Sequence, residues 1–600
     1  MISSKIVVKY DGTEENFDPK KLFRWAEYAA KTDPNISWES IALETYKRLP
    51  NKVSSSDIHD TMIKVLEETK DISHTRISAR LRIASLRKNM ERILGVNVST
   101  DSFKKIYNTL LDKNVWCKET MPPYSDNMSK WWEENKGVRY DSWSVQQFDD
   151  KYAIKMDGVS VEVPQLAMLG IGLGLFGDKE EAYKFATAAN KRQVNLPTPL
   201  MNGSRNGDFD TVSCCVIEAE DSIESILSAD HISARMTAKK AGIGIKYSTR
   251  TKNAPVKGGR VSHLGKHPIF RNTLGSVGVF SQITRGGSAT VSVDIIDPEV
   301  YNTAIWKSQR SDIRVRLDWL DFSVCFNDYF LKCVVERKPW YFFSMDKAPE
   351  IYEAFPTASV EEFERLVEKA VKEGRHHSST DALKLISNIL ELRIETGRIY
   401  FSNLSRMNEH TPFEDVIRLS NLCQEIALPT KPYKDMNSLY ADDGYGETAF
   451  CSLSAIVPAN ISSSDEYAEV AEVLLKAVTE MIKKAPKMTP NMERTMLERM
   501  SVGIGISGLA EYLYKHGSDF DGSVESFKLV KELAELHYYS LLKASIKMVE
   551  EGELEPVKGV NFDWLPIDTK RSKLAPKLDW ESLRGKARGH SVLSAMMPCE

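Results

Sequence analysis

Three residues in the stretch SNLCQEIALPT, Ser420 to Thr430, could do chemistry together. Asn421, Cys423 and Glu425 occupy alternate positions. In an extended loop or strand, alternate residues face the same side. One small surface would then carry an amide, a thiol and a carboxylate. A thiol can hold a radical or act as a nucleophile, and a carboxylate can take a proton from a neighbouring hydroxyl. The competing account is an ordinary half-buried strand with a chance polar face, and three residues alone do not separate the two.

Such a surface needs a framework. The chain has 600 residues, room for roughly three to five domains or one large barrel with appendages. Hydrophobic residues make up 42% and charged residues 27%, as in an ordinary folded protein. A net charge of -4 gives no electrostatic reason to expect a nucleic-acid or membrane partner. The first residues, MISSKIVVKYDG, hold no apolar core of signal-peptide length, and no apolar run reaches the ~18 residues of a membrane span. Eight cysteines in so long a chain are not a disulfide framework; their sparse use fits a reducing compartment, the cytoplasm. C-x-x-C and H-E-x-x-H spacings are absent, so no metal site is expected in this chain.

Residues 1–95 read as one small unit. IVVKYDGTEENF is two short strands around an Asp11-Gly12 turn, and Asp18-Pro19 opens a helix. SSDIHDTMIKVLEET and SHTRISARLRIASLRKNMERIL add two more helices. Residues 96–200 are helical and rich in Trp and Tyr. From 201 to 600, short apolar runs such as IGIKYS, ATVSVDI and WYFFSM alternate with helical stretches, the pattern of an α/β fold with a largely parallel sheet. Gly172, Gly174 and Gly177 spell G-x-G-x-x-G, as do Gly503, Gly505 and Gly508. Neither set has a clear strand before it, so both read as close helix packing and turns rather than a dinucleotide fingerprint.

N-L-C-x-E-I followed by A-L-P-T-K-P resembles the finger loop of class I ribonucleotide reductase large subunits. LPTPLMNG (196–203), VSCCVIEAEDS (212–222), KKAGIGIKYS, TRGGSATV, TGRIYFSN, FCSLSAI and SVLSAMMP resemble further segments of that family in the same order. The resemblance implies a helical N-terminal region with an ATP cone (1–95), a helical region (96–200), and most of a ten-stranded α/β barrel around a central finger loop (201–600). It implies that Cys423 carries the thiyl radical that removes the ribose 3'-hydrogen, that Glu425 takes the 3'-hydroxyl proton, and that Asn421 hydrogen-bonds the substrate. Cys214 and Cys451 would be the dithiol that reduces the 2'-carbon. Cys215 is the rival for the first position, but an ungapped match through Asp221-Ser222 favours Cys214. Cys117, Cys325 and Cys333 match no family role and read as buried packing residues.

By the same resemblance, Thr198, Ser213 and Glu600 help hold the substrate diphosphate, although Cys599 stands where the family usually has Ser. Asp221, Ser222 and Ile223 would bind the dNTP specificity effector, whose identity is relayed by KSQRSDIRVR (307–316). Lys9, Glu15, Lys21, Ser55 and Lys88 would contact ATP or dATP in the cone, with Tyr10 and Asp18 departing from the commonest family residues. No cofactor is expected in this chain. The implied partners are a ribonucleoside diphosphate, a metal-containing small (beta) subunit that supplies the radical, a thioredoxin- or glutaredoxin-type reductant, and a second copy of the large subunit. Family chains carry on past the segment at Met597-Pro598-Cys599-Glu600. The expectation is therefore a truncated chain or, by preference, a naturally split subunit, in which a second polypeptide brings the remaining strands, a tyrosine pair and a two-cysteine tail. Tyr538-Tyr539 lies in a helical stretch and reads as packing. A catalytically silent nucleotide-binding remnant and the cobalamin-dependent class are the rival readings. The intact five central residues speak against the first, and the class I segments, cone included, against the second.

Overall fold

The computed structural model describes residues 5–31, 33, 36–69, 71–209, 212–281, 286–485, 488–567 and 578–598. They form two compact units, Met1–Lys191 with Leu200–Asp208, and Arg192–Pro199 with Phe209–Glu600.

The first unit opens with a three-stranded sheet. Strands β1 (Ile6–Val8) and β2 (Glu14–Asn16) pair antiparallel across the Asp11-Gly12 turn, and β3 (Lys52–Ser54) lies parallel to β1. Helix α1 (Pro19–Ala30) starts at Asp18, whose carboxylate accepts from Lys20 N, with Pro19 in its first position. Helix α2 (Trp38–Arg48) is capped by Ser37, and α3 (Ser55–Glu68) by a Ser54/Asp57 capping box. Helix α4 (Ile72–Leu94) ends at Gly95, whose φ of +74° suits a left-handed cap. Leu22, Ile41, Met62, Leu66 and Leu81 meet in one buried cluster; each such side chain contributes roughly 1.5–3 kcal/mol by leaving water. Neither α2 nor β3 was expected from sequence. The apolar stripe of α2 is narrow (Ile41, Ala42, Thr45), and a three-residue strand carries too short a pattern to read.

Farther along this unit, α5 (Pro164–Phe176) and α6 (Glu180–Asn190) pack closely. A Cβ on Gly172 would lie 2.5 Å from the Ala182 carbonyl oxygen, and one on Gly174 2.6 Å from that of Ser204. The first glycine pattern is therefore helix packing, as expected. Cys117 is half-buried with its thiol 3.0 Å from Glu119 Oε2, so it is not the core residue foreseen; Cys325 and Cys333 are.

The second unit is built on one sheet. Its strands are β4 (Val194–Asn195), β5 (Cys214–Ala219), β6 (Gly242–Tyr247), β7 (Ala289–Asp294), β8 (Asp321–Phe326), β9 (Ile399–Asn403), β10 (Ala449–Ile456) and β11 (Val502–Ile506). The order is β9-β8-β7-β6-β5-β10-β11, with β4 paired to β10. From β5 to β9 all pairs are parallel. Strands β10 and β11 are parallel to each other, and β10 meets β5 antiparallel. Helices α7 (Ile223–Ala238), α8 (His267–Val279), α9 (Val300–Lys307) and α10 (Ala382–Thr396) make the crossovers that parallel strands require. Every residue of β5, β6 and β7 is buried, as in a parallel sheet covered on both faces. The α/β expectation stands, and among the described residues seven strands form the path, with β4 as an eighth off it, where the resemblance implies ten. WYFFSM lies outside this sheet, because Pro339–Phe343 pairs antiparallel with His376–Asp381. Beyond β11 the chain returns alongside it: Val502 N donates to Val592 O (3.2 Å) and Ile504 N to Leu593 O (2.9 Å). Gly503 and Gly505 thus belong to a strand whose neighbour presses against them, with Ala595 against both. This corrects their reading as helix packing. Helix α11 (Val524–Glu550) carries Tyr538 and Tyr539, whose rings meet Trp564 and Trp580. Among the described residues no helix is long and apolar enough to cross a membrane.

A buried ion pair ties the strands together. Lys246 Nζ on β6 lies 2.7 Å from Asp294 Oδ1 on β7, both nearly inaccessible to solvent. Removing one partner of such a pair strands the other charge, at a cost of about 3–5 kcal/mol. Lys246→Ala is expected to lose that much in denaturant unfolding, and Lys246→Met with Asp294→Leu much less. A loss below about 1 kcal/mol for the single variant would mean the pair is solvated.

Candidate functional site

Residues 420–427 fold as a closed turn and not as the extended run on which their alternation was read. Ser420 and Ala427 bridge antiparallel. Asn421 N donates to Ile426 O (3.3 Å), Ser420 Oγ to Ile426 O (2.8 Å), and Ile426 N to Asn421 Oδ1 (3.2 Å). Gln424 adopts φ +66° at the tip. It is the turn, then, and not a period of two, that sets Asn421, Cys423 and Glu425 side by side.

The sheet holds this turn at several levels. Lys246 Nζ donates to Arg418 O (3.2 Å) on the incoming leg, and Thr430 Oγ1 on the outgoing leg donates to Glu218 Oε2 (3.3 Å). Thr290 Oγ1 donates to Leu422 O (2.7 Å). Gly242 and Gly244, two apart on β6, clear the space: a Cβ on Gly244 would lie 2.6 Å from Ser420 O, and one on Gly242 2.6 Å from Leu422 Cδ2 and 3.3 Å from Cys214 Sγ. Sequence reasoning passed over these glycines. Their signal is G-I-G inside a strand, where glycine weakens the ladder unless another backbone comes close.

The β5–β10 register sets Cys451 directly opposite Cys214. Opposed residues of an antiparallel pair have Cα atoms roughly 4.5–5.5 Å apart, within the range a disulfide spans. Both are buried and share an apolar cluster with Leu419, Leu422, Ile426 and Leu428 of the turn and its legs. Cys215 pairs with Phe450 and turns to the other face. Burial pushes the Cys451 thiol well above its ordinary value, and Cys214, Glu425 and Cys423 lie near enough to oppose its ionisation further.

Burial also raises the pKa of Glu425 above 4.5; its own backbone N–H and the Asn421 amide counter this in part. Neither group is aligned as a hydrogen bond to it. Both carboxylate oxygens, and Asn421 Nδ2, are buried without a partner. Buried polar atoms left so cost about 1–3 kcal/mol each, so two acceptor oxygens and one donor nitrogen are left able to bond to a ligand. Because the folded-state pKa is raised, stability from Glu425 is greatest at low pH and falls as pH rises through the raised value. Proton acceptance follows the opposite course, since only the ionised form accepts. Glu425→Gln is therefore expected to raise Tm at neutral pH while lowering turnover by roughly 10²–10⁴-fold. A lowered Tm would contradict the burial account.

The other expected residues are placed as follows. Ser213 N donates to Cys451 O (3.0 Å), and Ser213 Oγ accepts from Leu453 N (3.4 Å). Thr198 opens the short helix Thr198–Gly203, three residues after β4. Cys599 and Glu600 lie outside the described residues. Asp221 pairs with Arg250 Nε (2.7 Å), Ser222 caps α7 by accepting from Ser225 N (3.1 Å), and Ile223 is exposed. In the first unit, Lys9 and Lys21 each sit 2.7 Å from Glu15 and hold its carboxyl below the ordinary range. Ser55 is the first residue of α3, and Lys88 lies 3.9 Å from the Trp25 ring centre. His59 was missed. It accepts from Trp25 Nε1 (2.9 Å) while its Nε2 is buried without a partner, and burial with the nearby Lys88 charge pushes its pKa down to about 4. Its signal was its place four residues after Ser55, on the same helix face.

The ribonucleotide reductase barrel domain matches residues 212–600, and the ATP cone domain matches 5–88. The chain is 30% identical over 635 residues to the ribonucleoside-diphosphate reductase subunit alpha of Haemophilus influenzae, covering 100% of this chain and 82% of that one. The ribonucleoside-diphosphate reductase 1 subunit alpha of Escherichia coli is also 30% identical over 635 residues, with the same coverage. That of Enterobacteria phage T4 is 30% identical over 633 residues, covering 99% and 81%.

Proposed function

Because the chain belongs to the ribonucleotide reductase family, as a class I large subunit, we propose that it reduces ribonucleoside diphosphates at the turn that carries Cys423. The thiyl form of Cys423 takes the 3'-hydrogen, Glu425 takes the 3'-hydroxyl proton, and Asn421 donates to the ribose. Cys214 and Cys451 give two electrons and two protons, the 2'-hydroxyl leaves as water, and the pair becomes a disulfide. The 3'-hydrogen then returns and restores the radical at Cys423. The radical itself is supplied by a metal-containing small subunit. The observation that carries this reading is the unpartnered Glu425 carboxylate and Asn421 amide set beside the opposed cysteine pair. Thr198, Ser213 and Glu600 complete the diphosphate seat. A cysteine pair oxidised once per turnover calls for an external dithiol reductant of the thioredoxin or glutaredoxin type, as in a reducing cytoplasm.

Two nucleotide effector sites accompany the active site. Asp221, Ser222 and Ile223 at the start of α7 take the dNTP specificity effector. Exposed Ile223 and Leu227 on α7, with Phe280 just after α8, support pairing of two large subunits there. Lys9, Glu15, Lys21, Ser55 and Lys88 take ATP or dATP in the cone. Lys88→Ala is expected to weaken adenine nucleotide binding about tenfold or more in calorimetry, the worth of one charge-assisted hydrogen bond. An unchanged affinity would remove Lys88 from that site. A further partner, carried over from the family resemblance, is a complementing polypeptide that supplies the remaining barrel strands.

The test is an assay of the chain with a class I small subunit, ATP and a dithiol, both alone and with a complementing polypeptide. Deoxynucleotide formation from a ribonucleoside diphosphate is expected with the complementing polypeptide present, and none with the chain alone. Absence of both product and diphosphate binding would overturn the reading.

A further inference from the structure

Gln424 sits between Cys423 and Glu425, and its side chain bonds both within the turn and to the sheet. Its Oε1 accepts from Ser323 Oγ on β8 (2.9 Å) and Ser402 Oγ on β9 (2.8 Å). Those two hydroxyls are 2.9 Å from each other, so the three oxygens form a triangle that draws the tip onto two adjacent strands. Its Nε2 donates back to Asn421 O (2.7 Å), and its backbone N reaches the same oxygen (3.3 Å). One side chain therefore closes the turn on itself and fastens it to the sheet. It does so from φ +66°, a backbone conformation that glycine adopts with less strain. What glutamine adds at this position is the amide.

We propose that Gln424 is the positioning residue of this active site: its amide holds the Cys423 thiol and the Glu425 carboxylate at one point of the ribose. The inference rests on the reading of Cys423 as the radical site. The backbone strain gives it a sharp test. If only the shape of the turn mattered, Gln424→Gly would relieve strain, and both stability and turnover would be kept or improved. If the amide positions the tip, Gln424→Gly keeps its Tm and its KM for the diphosphate, while kcat falls about tenfold, the worth of one net hydrogen bond. Ser323→Ala with Ser402→Ala removes both donors to Oε1 and should reproduce that loss. Combined with Gln424→Gly it should add little, since both act through one contact set.

Kinetics are measured on the enzyme assembled with its small subunit. Alongside, alkylation of Cys423 by iodoacetamide is followed by peptide mapping on the chain itself and needs no turnover. Released from the strands, the tip should expose the thiol, and alkylation in Gln424→Gly should speed up severalfold. Unchanged kcat and unchanged alkylation in Gln424→Gly, with Cys423→Ser inactive, overturn the positioning role and leave the radical site standing. An active Cys423→Ser overturns the radical site instead, and faster alkylation in Gln424→Gly would then speak only for the clamp. A kcat loss that comes with a lowered Tm and additive effects of the serine variants would show mere structural support, and so would also defeat the proposal.

Discussion

Cys423→Ser reduces no detectable nucleotide, yet binds ribonucleoside diphosphate with a Kd within about twofold of the unaltered chain. The exchange of sulfur for oxygen is small, and the tip is held by groups that it leaves alone: Thr290 on the Leu422 carbonyl, Ser323 and Ser402 on Gln424. Fold and Tm should therefore persist. The groups proposed to bind, Asn421 and Glu425 at the ribose and Ser213 and Thr198 at the diphosphate, are also intact. What disappears is a weak S–H bond. An O–H bond is much stronger, so a serine hydroxyl is not oxidised by the radical that oxidises a thiol, and no other step starts without it. Among point variants at this site this should be the largest effect, because no partial substitute exists. Titration calorimetry and a deoxynucleotide assay on the same preparation check it. Substantial turnover would take Cys423 out of its role, and lost binding would mean that the thiol also serves as a contact.

The chemistry of this site was legible as residue types and much less so as geometry. Asn421, Cys423 and Glu425 stand out because an amide, a thiol and a carboxylate crowd five positions. The reason first given for their meeting, strand alternation, fails at Gln424, whose left-handed φ no local pattern announces in a non-glycine residue. Alternating apolar and helical runs sufficed for the α/β class and a parallel sheet, since each βαβ unit is local. The antiparallel seam between β5 and β10 joins residues more than two hundred positions apart, and nothing short-range encodes it. The two glycine patterns make the same point. Gly172 and Gly174 press on Ala182 and Ser204 inside one helical unit, whereas Gly503 and Gly505 press on a segment that returns from Ala595. Pattern alone reads both alike. His59 escaped because a histidine early in a helix is ordinarily solvated; only burial against Trp25, with one nitrogen unpartnered, sets it apart.

That same seam decides between two adjacent cysteines and leads to the second large effect. After one turnover without external reductant, peptide mapping is expected to find Cys214 joined to Cys451. Neighbouring residues of a strand face opposite sides of the sheet. Cys214 shares its face with the turn, clusters with Leu419 and Ile426, and stands opposite Cys451. Cys215 stands opposite Phe450, and burial, with the neighbouring Cys214, keeps its thiol well above the ordinary value. Reaching Cys451 from Cys215 would require the strand to slip by one residue, which would turn every side chain of β5 to the wrong face. Cys214→Ser should therefore stop nucleotide reduction, because the dithiol that supplies the electrons is gone. Cys215→Ser swaps a buried thiol for a buried hydroxyl and should cost stability, about 1–3 kcal/mol if the hydroxyl finds no partner, while turnover survives. The two outcomes separate cleanly when turnover is measured per folded molecule, with Tm recorded for each variant. A Cys215–Cys451 bond, or an active Cys214→Ser beside an inactive Cys215→Ser, would move the β5 register by one and carry the reducing pair with it.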